Sequence, residues 1–435
     1  MSKALQRPGS DPFEAPSPYA LGDDTIPTSA LSDRARPLPR ISIQAFCQTS
    51  DIAEIIQAAS EDRRLNKAHV TIQMGGTAAA IAHYEESPTP NLIILESQSP
   101  QAELLAELEE LAQSCDPGTK VVIIGRANDV VLYRELIKRG ISEYLVTPVT
   151  SFELLECLSS LYNNPASDPV GQVFAFVGAK GGVGSSTLCH NVSWTLSEVL
   201  ANDIVIADMD LPFGTTGLDF NQDPVQGIAD ALQNPDRLDE VLLDRLLTTC
   251  SKHLSIFAAP VVLDRDYEIT PEACETVVDV VRQNVPFVAV DLPHVWAPWT
   301  RSLLLQADEI VLTAIPDLAN LRNAKNIVDL LRQARKNDAP PHLVLNMANM
   351  QKRPEITPKE FETALGLKTL AIIDFDCESF GQAANNGQMI EEFNPKAKSV
   401  QAFRDIALAL AHRKEVKAEK RSPFAPILEK LMLKR

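Results

Sequence analysis

Residues 180–187 read Lys-Gly-Gly-Val-Gly-Ser-Ser-Thr: Lys180, Gly181, Gly182, Val183, Gly184, Ser185, Ser186 and Thr187. An apolar run at 173–178 leads into them and a helical pattern leads out. Glycines let backbone N–H groups turn inward, and a helix start adds partial positive charge, so such a segment can cradle phosphate. The usual phosphate loop, G-x-x-x-x-G-K-[ST], carries lysine directly after its last glycine. Ser185 stands there instead, and Lys180 sits at the front of the loop. The competing reading is a structural glycine-rich turn.

Three carboxylates are placed to assist phosphate chemistry. Asp208 and Asp210 follow the apolar stretch 204–207, and Asp291 closes Phe-Val-Ala-Val-Asp at 287–291. A lone Asp after a strand is commonly a turn former or helix cap. Two acidic strand ends at the same edge of one sheet as a phosphate loop are a different matter, because together they can steer a divalent cation. Asn346, after the apolar run 342–345, reads equally as a polar ligand or as a turn residue.

These residues must be held by strands. From residue 173 the sequence alternates apolar strand patterns (173–178, 204–209, 254–259, 287–291, 309–314, 342–346, 370–373) with helical ones such as 319–335. An earlier alternation fills residues 40–163: strands at 41–47, 69–74, 91–96, 120–125 and 144–146, each followed by a helix. Both patterns predict α/β domains with doubly wound parallel sheets, whose ligands sit beyond the carboxyl ends of the strands. The expected organisation is a disordered segment at 1–39, a small domain at 40–163, a linker at 164–172, a larger domain at 173–411 and a basic helix or tail at 412–435.

Bulk properties narrow the classes. The 435 residues carry a formal charge of −18, which argues against a general nucleic-acid coat. Seven cysteines show no CxxC or other metal-ligand spacing, as expected for scattered thiols in a reducing compartment. No segment reads as a signal peptide or membrane span, so a soluble, cytoplasmic protein is expected.

The small domain resembles the receiver domains of response regulators, in pattern more than in motif. Cys47 and Gln48 stand where a working receiver has its acidic pair, Glu96 replaces the phosphoacceptor Asp, Gly125 the hydroxyl residue and Thr147 the lysine. The resemblance therefore implies a fold kept for docking or dimerisation, without phosphorylation. The alternative is that Glu96 imitates a permanently phosphorylated state.

The larger domain resembles the MinD/ParA group of deviant-Walker ATPases, whose loop reads K-G-G-x-G-K-[ST]-T. The resemblance implies ATP and Mg²⁺ as cofactors and a nucleotide-sandwiched homodimer. Lys180 would reach across to the partner's phosphates, and Gly181 to Ser185 would wrap the nucleotide. Ser186 would ligate Mg²⁺ and Thr187 would lie near the α-phosphate. Asp210 would orient the attacking water, Asp208 would support the metal shell and Asp291 would hold Mg²⁺ through water. Asn346 would read the adenine, with a further purine contact near 373–375, where the group's usual proline is missing. Catalytic roles thus fall on Lys180 and Asp210. Losing a charge such as the missing lysine costs ~10²–10³ in rate, so binding with slow hydrolysis is expected.

A degenerate receiver joined to a loop reading KGGVGSST resembles the TadZ/CpaE family of Flp-type (tight-adherence) pilus assembly. That implies a spatial regulator, often at a cell pole, with the pilus secretion ATPase and inner-membrane pilus components as partners. Residues 413–435 hold eight Lys/Arg against three Glu, with Phe424, Ile427, Leu428, Leu431 and Met432 at helical spacing. Such an end can lie on an anionic membrane or pack on its own domain. The rival readings are a nucleotide-binding pseudo-ATPase scaffold, a ParA-like partition ATPase that binds DNA, and a genuine response regulator.

Overall fold

The computed structural model describes residues 37–39, 41–116, 118–162, 170–263 and 267–412. Most of the expected N-terminal segment, the linker residues 164–169 and the tail after His412 lie outside the described residues.

The small domain runs β1 (Ser42–Cys47), α1 (Ser50–Ser60), β2 (His69–Met74), α2 (Gly76–Tyr84), β3 (Leu92–Ser97), α3 (Gln101–Ser114), β4 (Lys120–Gly125), α4 (Val130–Lys138), β5 (Glu143–Val146) and α5 (Ser151–Tyr162). Its five strands pair in parallel in the order β2-β1-β3-β4-β5. β3 is buried along its whole length, as a central strand covered on both faces should be. Leu38 is buried in the core beneath α1, its amide bonded to the Arg64 carbonyl at 2.8 Å.

The larger domain continues with β6 (Gln172–Gly178), α6 (Ser185–Leu200), β7 (Ile204–Asp208), α7 (Thr216–Asp219), α8 (Ile228–Gln233), α9 (Glu240–Leu246), β8 (Thr248–Thr249), β9 (Leu254–Phe257), α10 (Pro271–Asn284), β10 (Phe287–Asp291), α11 (Pro298–Gln306), β11 (Glu309–Ala314), α12 (Leu318–Ala334), β12 (His342–Ala348), α13 (Pro358–Leu365), β13 (Thr369–Asp374), α14 (Cys377–Asn386), α15 (Ile390–Phe393) and α16 (Lys398–Leu410). The strand order is β13-β12-β11-β6-β10-β7-β9-β8. All pairs are parallel except β8 with β9, so a two-residue antiparallel edge strand closes one side. Apolar side chains cover both faces of the sheet in two separate cores. β6 lies at the centre, between β10 and β11. The chain leaves it toward β7 on one side and later builds β11 on the other. That change of direction opens the crevice where such sheets bind ligands.

The two domains meet at the amino ends of the large sheet, opposite the glycine loop. After α1 a 3-10 turn, Arg63–Leu65, presents two guanidinium groups. Arg63 Nε donates to Asp338 Oδ2 at 2.7 Å and its Nη1 to the Gln306 carbonyl at 3.0 Å. Arg64, only 1% exposed, donates to Asp338 Oδ1 and to Asp62. Arg335 completes the ring on Asp338 Oδ2 at 2.8 Å. Arg282 bonds Asp308 Oδ2 at 3.0 Å, and that same oxygen accepts the Val173 amide at the foot of β6. Three guanidinium groups thus converge on one carboxylate, and burial of each is tolerable only because it is paired.

Candidate functional site

The loop between β6 and α6 is shaped by glycines. Gly182 has φ +77° and Gly184 has φ +84°, the left-handed region that favours glycine. A Cβ on Gly184 would stand 2.5 Å from Asn346 Nδ2. The loop is gripped from behind through its carbonyls. Asn323 Nδ2 donates to Ala179 O at 2.9 Å, Asn346 Nδ2 to Val183 O at 2.8 Å, and His294 Nδ1 lies 3.2 Å from Gly178 O. The Ala179 amide pairs with Thr313 O at 2.8 Å. With these carbonyls engaged outward, the loop is fixed around the start of α6, where amides and helix dipole favour an anion.

Asn346 is nearly buried, and the geometry gives its amide a bond to the loop itself. Lys180 is exposed at the front of the loop. It lies near Asp317, the cap of α12: burial works against that carboxylate, but bonds from Asn320 and the charge of Lys180 hold it below its ordinary value. Ser185 begins α6, and its hydroxyl oxygen is buried with no hydrogen-bond partner. Ser186 follows, and its hydroxyl is among the groups that oppose the rise of the Asp291 carboxyl. Thr187 lies one residue further into α6, its carbonyl accepting Asn191 Nδ2 at 2.9 Å.

Asp208 and Asp291 end neighbouring strands and are 1% and 2% exposed. Asp208 is fully engaged: Oδ1 accepts the Asp210 amide at 3.1 Å, and Oδ2 accepts the Thr216 hydroxyl at 2.7 Å. Asp291 keeps one oxygen, Oδ1, buried and unpartnered. Burial pushes its carboxyl up to about 7, with nearby Asp208 adding to the rise and His190 and Ser186 opposing it. Asp210 is raised by burial, partly offset by the Phe213 amide. It lines a cavity of about 320 Å³ with Leu211, Leu263, Tyr267 and Trp299.

Two orphaned buried oxygens, on Ser185 and Asp291, together with a raised carboxyl, fit a site completed by a phosphate and a cation. Among the described residues no group of three or more His, Cys, Asp or Glu side chains forms a metal cage. Mg²⁺ does not need one, since it usually takes one or two carboxylates, substrate phosphates and water.

Sequence reasoning missed His190. It is fully buried on α6, with Nδ1 2.7 Å from Asp219 Oδ2, Nε2 3.0 Å from Thr216 Oγ1 and 3.7 Å from Asp291 Oδ2. Burial disfavours a charged ring, but the bond to Asp219 and the charge of Asp291 outweigh it and raise its pKa. The available signal was a titratable residue on the buried face of a helix otherwise lined by Cys189, Val192 and Leu196.

In the small domain Glu96 is 4% exposed and closes the crevice between β1 and β3. Its Oε2 accepts the amides of Gln48 and Thr49 at 2.7 and 2.8 Å, and Oε1 accepts the Thr49 hydroxyl at 2.7 Å. The carboxylate is spent on the chain's own backbone. Among the described residues no helix is long and apolar enough to cross a membrane.

No family model matches the chain. It is 25% identical over 252 residues to the septum site-determining protein MinD of Bacillus subtilis (strain 168), covering 55% of this chain and 88% of the relative. Among solved structures, a ParA family ATPase from Chlorobium tepidum TLS matches with TM-score 0.51 and 26% identity, over 55% of this chain and 98% of that one. The pilus assembly protein CpaE from Caulobacter crescentus CB15 is 43% identical over 30% of this chain and 98% of that one, with TM-score 0.29. The MinD and ParA likenesses agree with the doubly wound sheet and its glycine loop, and the CpaE likeness is one of sequence. The chain is thus similar to the MinD/ParA ATPases in sequence and fold, and to CpaE pilus assembly proteins in sequence over about a third of its length.

Proposed function

We propose that the chain is an ATP-binding, slowly hydrolysing spatial regulator of Flp-type pilus assembly. The observation that carries the nucleotide reading is the helix start at Ser185 and the strand end at Asp291, each with a buried oxygen left unpaired. The loop amides from Gly181 to Thr187 would hold the triphosphate. Ser186 and Asp291 would hold Mg²⁺, with Asp208 behind them. Bound Mg²⁺ would supply charge neutralisation on the phosphates. Lys180 would add positive charge at the front of the loop, and Asp210, kept partly desolvated, would orient a water. Asn346 would shape the purine end through its grip on the loop. Phosphoryl transfer is largely positioning and charge stabilisation. A serine in place of the inner lysine therefore favours a long-lived bound state over turnover.

A homodimer is supported by the edge around the loop. Phe213, Leu263, Trp296 and Leu318 follow β7, β9, β10 and β11, all at the carboxyl edge of the sheet, and are 58–72% exposed. The small domain, docked at the opposite edge, leaves that face free and would serve as a receiver-like adaptor. The expected partners are the pilus secretion ATPase and inner-membrane pilus components, in the cytoplasm at a cell pole or on the inner membrane. Ser185 also favours a second reading, a scaffold that binds nucleotide without hydrolysing it. A deletion strain complemented by this chain or its Lys180→Ala and Asp210→Ala variants tests the proposal by counting surface pili and locating a fluorescent fusion. Pili restored only by the unaltered chain are expected; normal piliation in the deletion strain would overturn the assembly role.

A further inference from the structure

Behind the two acidic strand ends lies a hydrogen-bonded chain for which the proposed function has no use as yet. His190 on α6 contacts Asp219 through Nδ1 at 2.7 Å and Thr216 through Nε2 at 3.0 Å, and Thr216 Oγ1 reaches Asp208 Oδ2 at 2.7 Å. Ionised carboxylates only accept, so Asp219 takes the Nδ1 proton and Asp208 takes the Thr216 hydroxyl proton. The Thr216 oxygen is then left to accept from Nε2. Every bond in the chain therefore has a fixed direction, running from the imidazole outward to both carboxylates.

This arrangement costs more than packing requires. The ring and Thr216 are both fully buried, and α6 could fill the same space with an apolar side chain. The chain also joins three separate elements: α6, which carries the phosphate loop, α7, which holds Thr216 and Asp219, and the end of β7, which holds Asp208. Buried, fully satisfied networks of this kind fix one arrangement of the groups they connect.

We infer that His190 is a positioning residue, which holds Asp208 in place behind the cation site through Thr216 and ties the segment after β7 to the phosphate-loop helix. The inference rests on the nucleotide reading above and deepens it. The loop amides do not depend on this relay, so its loss should spare the grip on the nucleotide and weaken the contribution of Mg²⁺. Removing a partner that orients a ligand commonly costs ~10–100-fold in metal affinity.

The test is titration of a fluorescent ATP analogue into the full chain, in EDTA and in Mg²⁺, for the unaltered chain, His190→Ala, Thr216→Val and the double variant. Thr216→Val keeps shape and keeps the His190–Asp219 pair, so it reports on the relay even where His190→Ala folds poorly. The expected result is an EDTA affinity within about twofold of the unaltered chain in both single variants. The tightening by Mg²⁺ should fall roughly tenfold, with the double variant no worse than either single one, as for links in one relay. Full Mg²⁺ tightening in Thr216→Val, equal losses with and without Mg²⁺, or additive effects would each overturn the inference. An unaltered chain that fails to bind the analogue would instead overturn the nucleotide reading and the inference with it.

Discussion

Asp208 and Asp291 are register partners on the adjoining parallel strands β7 and β10, and both are buried. Both lie above their ordinary pKa with burial the largest cause, and the charge of Asp208 raises Asp291 further. His190 offsets part of this charge, and a divalent cation would offset more. The pair is therefore a source of instability in the metal-free protein and a source of affinity once a cation arrives.

Asp291→Asn should accordingly raise the melting temperature of the metal-free protein at neutral pH by a few degrees, the shift expected for about 1 kcal/mol in a large domain. It should also lose the extra stabilisation that Mg²⁺ adds to that given by ATP. Thermal unfolding with and without the nucleotide checks both halves, and a variant that melts lower without ligand would contradict the account.

Ser185 occupies the position of the missing lysine, with its hydroxyl unpaired. Ser185→Lys should increase ATP turnover by ~10²–10³, the scale of one preorganised charge at a phosphoryl-transfer site. Steady-state phosphate release from purified protein measures it. The gain should vanish when Asp210→Ala is added.

The interdomain ring makes Asp338 the most exposed point of failure. Burial opposes its ionised form, but Arg63, Arg335 and Arg64 hold its carboxyl well below the usual range. Asp338→Ala would remove the carboxylate shared by three buried guanidinium groups, a type of change that costs about 3–5 kcal/mol. Calorimetry should then show the two domains melting separately, where the unaltered chain melts as one unit.

Glu309 gives the protein a predictable acid limb. Burial alone would raise its carboxyl, but hydrogen bonds from His342 at 2.8 Å and His412 at 3.1 Å hold it down at about 2. A depressed carboxyl contributes stability that is complete above its unfolded value near 4.5 and is lost as pH falls toward about 2. Glu309→Gln should flatten stability across that window in acid titrations followed by circular dichroism.

The strands were legible because buried parallel strands read as apolar runs with abrupt ends. Expected and observed bounds coincide for β2, β4, β10 and β11 and differ by a residue or two in the other expected strands. The loop was legible because Gly182 and Gly184 need backbone angles that few other residues adopt. What the sequence did not disclose depends on contacts between distant segments. Arg63 and Asp338 are 275 positions apart, and nothing local marks them as a pair. α7 has four residues, too few for a periodic signal, and so the link from Thr216 to Asp208 and His190 was invisible. β8 is two residues long and exists only as the partner of β9.

Calorimetric titration of ATP with Mg²⁺ into the purified full chain tests the central claim most directly. The account predicts saturable binding of one nucleotide per chain. It also predicts loss of that binding in a folded Gly184→Val variant, whose side chain would be forced against Asn346. No heat of binding from the unaltered chain, or equal binding by Gly184→Val, would contradict it.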